Sequence, residues 1–132
     1  MKRWVWASGA LALAFGAAAV NWFVGPEATG TMSGWPLGTG SLAYPWVKGT
    51  QDVMVALLLG LFTGLGDRRG ALVGVGAALV TVTTDIGFTL AVSGTTGLTP
   101  HVIYLGLTLA AGAVFFSEQH PRVQGEPLVR RG

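Results

Sequence analysis

The stretch ALVGVGAALVTVTTDIGFTLAV, residues 71–92, decides the fold. Its 22 residues hold a single charged side chain, Asp85. As a helix rising 1.5 Å per residue they reach ~33 Å, enough to cross the hydrocarbon core of a bilayer. Gly74, Ala78, Thr81, Asp85 and Phe88 recur at spacings of three and four and therefore share one helix face. Thr84 and Thr89 flank that face. A carboxyl group inside such a segment is costly to insert and normally looks toward protein.

Working outward, three more apolar runs lie at about 4–24, 46–65 and 101–116, separated by segments 25–45, 66–70 and 93–100 and followed by a polar tail, 117–132. The expectation is one all-α domain, 1–132, built as an integral membrane four-helix bundle. Composition agrees. Of 132 residues 51% are hydrophobic and 11% charged, and none is Cys. A soluble domain carries roughly a quarter charged residues, so lipid is the expected surrounding. The net charge of +2 is scattered in short clusters, not laid along a face that tracks phosphates, which argues against a nucleic-acid partner.

Basic residues orient such a chain. With both termini cytoplasmic, Lys2, Arg3, Arg68, Arg69, Arg122, Arg130 and Arg131 all lie inside, 7 of the 8 Lys and Arg, and Lys48 alone lies outside. The expected location is a bacterial cytoplasmic membrane, crossed several times. Lys2 and Arg3 ahead of an apolar run ending in Ala17, Ala18 and Ala19 also fit a secretory leader; the length of 4–24 favours a permanent span. Small-xxx-small pairs, Gly60 with Gly64 and Gly70 with Gly74, permit close helix approach. Four short helices bury little surface, so a homo-oligomer is expected alongside contact with membrane lipid.

The chemistry concentrates toward the outer half. Asp52 and Asp85 fall at similar depth on antiparallel neighbours, so both carboxyl groups can face one cavity. Lys48 and Gln51 stand beside Asp52, while His101 opens the last helix with Tyr104 a turn below. Trp22, Trp35 and Tyr44 offer aromatic surface, and segment 25–45 can fold over the bundle as a lid or serve as a connector whose aromatics sit in the interfacial belt. Two carboxyl groups in one dry site can coexist as one acid and one carboxylate, the equipment of general acid and base catalysis. A plainer reading stays open: Lys48 with Asp52 as an intrahelical ion pair, Asp85 as packing glue bonded to Thr81 or a neighbouring helix, His101 as an interfacial residue. Metal ligands at zinc spacing and phosphate-cradling loops are missing, so neither a metal nor another cofactor is expected.

The run WVKGTQD, residues 46–52, then Gly66-Asp67-Arg68-Arg69 and a mid-span Asp85, resemble a small membrane family, the domain-of-unknown-function family numbered 4267. The likeness covers the second to fourth spans, and Lys-Gly-x-x-Asp with the later aspartate is its most specific part. Gln51 stands where an arginine is usual in that family. The resemblance implies four membrane helices, and some similar proteins accompany polyketide synthases as spiroketal cyclases of the oligomycin and ossamycin kind. The expectation that follows is a cofactor-independent cyclase for a lipophilic polyketide in antibiotic biosynthesis. Asp52, Asp85 and His101 would be catalytic, and Tyr44, Lys48, Gln51, Trp22, Trp35, Thr81, Phe88 and Tyr104 would contact substrate. The rival expectation is a small transport or binding protein that uses the same carboxyl groups for proton coupling or for a ligand. A third is a structural subunit whose aspartates bond only to their neighbours.

Overall fold

The computed structural model describes residues 1–35 and 43–118, the side chains of residues 43 and 44 excepted. The described chain is all helical: α1 (Arg3–Val24), α2 (Pro26–Met32), α3 (Ala43–Gly64), α4 (Arg68–Ser93) and α5 (Leu98–Ser117). Four long helices make a bundle in which α1 packs on α3, α3 on α4, α4 on α5 and α5 back on α1. The sequence pattern dictates which faces meet. Trp4, Ser8, Leu11, Phe15, Ala19 and Trp22 of α1 are buried at spacings of three and four, as are Ala71, Gly74, Ala78, Thr81, Asp85 and Thr89 of α4. Lys48, Asp52, Val55 and Leu59 do the same on α3, and on α5 Thr108, Ala111 and Phe115 do so two turns after the buried His101.

The outside is as apolar as the inside. Leu13, Val24, Leu57, Leu61, Val73, Val80, Ile103, Leu109 and Phe116 are all exposed, whereas a lysine, two aspartates and a histidine are buried. Helices apolar all round belong in lipid, and this is a membrane protein by that criterion. Among the described residues α1, α4 and α5 are long and apolar enough to cross a membrane. The helix α3, expected as a fourth span, falls short of that measure because Lys48, Gln51 and Asp52 occupy its first half.

Several boundaries differ from the sequence reading. The helix α3 starts at Ala43, α4 at Arg68 and α5 at Leu98, each about three residues early. For α4 the reason is Asp67, an N-cap whose side chain accepts from Gly70 N at 3.0 Å and so stabilises an extra turn. The largest difference is α2. It begins at Pro26, a residue suited to a first helical turn, and Thr29 Oγ1 donates to Asn21 O at 2.9 Å, tying the short helix to the end of α1. Residues 36–42 and 119–132, including most of the expected polar tail, lie outside the described residues.

One end of the bundle gathers the start of α1, the α3–α4 turn and the end of α5. There Trp4 N donates to Glu118 Oε1 at 3.3 Å, and Arg68 Nη2 donates to Phe115 O at 2.5 Å. A guanidinium on the last carbonyls of a helix satisfies acceptors that the helix leaves open. The opposite end carries α2, the Ser33–Trp35 segment and the α4–α5 turn.

Candidate functional site: a lysine shared by two aspartates

Asp52 sits nine residues in from Ala43 on α3, and Asp85 eight residues in from Ser93 on α4, depths of ~13 and ~12 Å at 1.5 Å per residue. The two helices are adjacent and antiparallel, so these depths coincide. Lys48, one turn before Asp52, reaches between them: its Nζ lies 2.5 Å from Asp52 Oδ1 and 3.0 Å from Asp85 Oδ2. The three side chains are 7%, 2% and 12% exposed. The ammonium that the sequence assigned to Asp52 alone thus serves both carboxyl groups.

Each aspartate gives Lys48 one oxygen and keeps another. Among the described residues Trp4 Nε1 is the sole fully buried side-chain polar atom without a partner. Both aspartates line a partly open cavity of about 70 Å³. Phe15, Trp22, Met32, Ser33, Lys48, Asp52, Val82, Asp85, Pro100, His101 and Tyr104 line it. A cavity that size is about half of an engineered one, near 150 Å³, that accepts benzene. It is too small to enclose a whole lipophilic chain. Larger concavities of about 210 and 430 Å³ open on the bundle's flanks, but their linings are apolar apart from Thr108 and offer no titratable group.

Aromatic rings gather around the cavity. Trp35 stacks on Trp22 at 5.6 Å between centroids and on His101 at 4.9 Å, and meets Phe88 edge-on at 5.4 Å. Its indole N–H donates to Thr89 Oγ1 at 2.7 Å, and the Thr89 hydroxyl donates to Asp85 O at 2.8 Å. Tyr104 packs edge-on against Phe15 and donates its hydroxyl to Ala14 O at 2.7 Å. His101 Nε2 lies 3.1 Å from Ser33 O.

Of the residues singled out from sequence, Asp52, Asp85, His101, Lys48, Trp22 and Tyr104 border the cavity. Trp35 stands behind His101, and Thr81 is buried one turn below Asp85. Phe88 is 44% exposed and touches the rim through Trp35. Gln51 is a correction: it is exposed, because one residue turns the helix ~100° away from Asp52. The Tyr44 side chain lies outside the described residues. Phe15, Met32, Ser33, Val82 and Pro100 were missed. Phe15 belongs to the same three-and-four series as Trp22, the available signal, while Ser33 arrives only through the fold of α2. Among the described residues no three His, Asp or Glu side chains gather as metal ligands.

No protein-family model, curated protein or solved structure matches this chain.

Proposed function

We propose that this protein is a membrane enzyme that closes a spiroketal in a lipophilic polyketide, using Asp52 and Asp85 as acid and base. One observation carries the reading: two carboxyl groups share a single ammonium and both residues line the same cavity. Two carboxylates and one ammonium are one proton short of neutrality, and net charge in a dry site is costly. One proton on the pair makes the set neutral and leaves an acid beside a base.

Spiroketal closure needs both. In the first step a substrate hydroxyl adds to the ketone carbon: the carboxylate takes the hydroxyl proton while the carboxylic acid protonates the carbonyl oxygen, giving a hemiketal. In the second the acid protonates the hemiketal hydroxyl, the C–O bond breaks and water leaves. The second chain hydroxyl then bonds to the same carbon and returns its proton to the carboxylate. One water is lost overall and the pair ends as it began. His101 and Tyr104 orient oxygens at the rim, and Trp22 supports the apolar chain. Only the reacting end of the substrate enters, beneath the Ser33–Trp35 segment, while the remainder lies along the bundle. Such a dry, shaped site contributes by holding reacting atoms in one arrangement.

The family resemblance through residues 46–52 and Asp85 supports the same reading. We place all four long helices across a bacterial cytoplasmic membrane with both termini cytoplasmic, because Arg3, Arg68 and Arg69 collect at the end that holds the start of α1 and the end of α5.

Purified protein in lipid, given a dihydroxyketone, tests the proposal. Asp52→Asn and Asp85→Asn are each expected to slow closure by ~10²- to 10⁴-fold and to lose control of product configuration. Unchanged configuration with both variants would overturn it, as would proton-driven uptake without any ring closure.

A further inference from the structure

We infer that the Ser33–Trp35 segment is a positioning element that fixes the proton of His101 on Nε2 and leaves Nδ1 as the ring's acceptor toward the cavity. A carbonyl oxygen can only accept, so the 3.1 Å contact between His101 Nε2 and Ser33 O requires the proton on Nε2. In the neutral ring the other nitrogen then holds a lone pair. Nδ1 has no hydrogen-bond partner among the described residues, yet it is not among the fully buried unpartnered atoms. The ring to which it belongs lines the cavity.

The segment that supplies this carbonyl is held from three sides. Trp35 stacks on the imidazole at an interplanar angle of 29° and is itself anchored through Nε1 to Thr89. Ser93 Oγ donates to Gly34 O. Gly34, at φ 72°, lies so close to Gly97, at φ 74°, that a Cβ on Gly34 would meet the Thr96 carbonyl and one on Gly97 would meet the Gly34 backbone. The contact therefore depends on glycine at both positions. Trp35 acts through His101 and is a positioning residue. The use we assign to Nδ1, accepting a hydrogen bond from a substrate hydroxyl, rests on the ring-closure reading; the position of the proton does not.

The test reads the ring directly, with no substrate present. In a His120→Gln background His101 is the chain's single histidine, and ¹⁵N-histidine labelling of the full chain in bilayers shows which nitrogen bears hydrogen and how fast it exchanges. Free histidine already favours Nε2–H, so exchange is the informative quantity. The expected result is hydrogen on Nε2 that exchanges slowly. Gly34→Ala, which lifts the segment, is expected to speed exchange about tenfold, near the upper end of what one net hydrogen bond is worth. Thr89→Val, which removes the acceptor of Trp35 and keeps both rings, moves exchange the same way by less and serves if Gly34→Ala does not fold. Hydrogen on Nδ1 in the parent, or exchange unchanged by the folded variants, would overturn the inference. Ring-closure rates of the aspartate variants are read separately, so either claim can fail alone.

Discussion

At the scale of single residues Lys48 decides what the site is. A buried ion pair contributes little net stability, because desolvation offsets attraction, but removing one partner leaves charge stranded and costs about 3–5 kcal/mol. Lys48→Met strands two carboxyl groups at once, so its loss of stability, followed by unfolding in detergent, is expected to reach that range. Asp85→Asn keeps the Lys48–Asp52 contact and is expected to lose less. Equal stability of Lys48→Met and the parent would mean that the three side chains do not meet. The sequence made Asp85 and most of its stripe legible, since Gly74, Ala78, Thr81 and Asp85 are buried on one face while Phe88, the fifth member, is 44% exposed. It did not show that Lys48 bonds Asp85, a contact 37 residues distant that arises only when α3 and α4 align. Gln51 misled because its neighbours are polar, although neighbours in sequence point apart on a helix.

At the scale of elements the short helix α2 and the Ser33–Trp35 segment cover the cavity's rim. Their composition, rich in Gly, Thr and Pro, reads as a loop, and a helix of 7 residues has too few turns to show an apolar period. The possibility of a lid was legible; its helix and the Ser33 carbonyl were not. Because the chain has no Cys, Ser33→Cys is a clean reporter of this cover. Its thiol is expected to resist a maleimide in the parent, where Ser33 is 5% exposed, and to react several-fold faster once Gly34→Ala is added. Equal reactivity in both would show that the close approach to Gly97 does not hold the segment down. Deeper in the bundle, Leu59 is fully buried and packs onto Gly74. Leu59→Ala is expected to cost about 2–5 kcal/mol of stability in detergent unfolding. A cost below 1 kcal/mol would place α3 and α4 further apart than found. The Gly60 and Gly64 pair, read as a close-packing signal, meets nothing within 4 Å, whereas Gly70 and Gly74 receive Phe62 and Leu59.

At the scale of the whole molecule the arrangement is inverted relative to a soluble domain, with charge gathered inside and hydrocarbon outside. The proposed orientation sends the α3–α4 turn to the cytoplasm and the α4–α5 turn to the far side. Single cysteines at Arg69 and Thr95 in intact cells check it: an impermeant reagent is expected to label position 95 and spare position 69, and the reverse pattern would invert the protein. The orientation matters because it sets the leaflet from which the proposed lipophilic substrate would enter the aspartate cavity. The central claim is that Asp52 and Asp85 act on one guest as a unit, and groups acting as a unit are strongly non-additive. Ring-closure rates of Asp52→Asn, Asp85→Asn and the double variant, measured in the same lipid, test this most directly. A double variant about as slow as the slower single one is the expected result; losses that multiply would show two carboxyl groups working independently and would contradict the account.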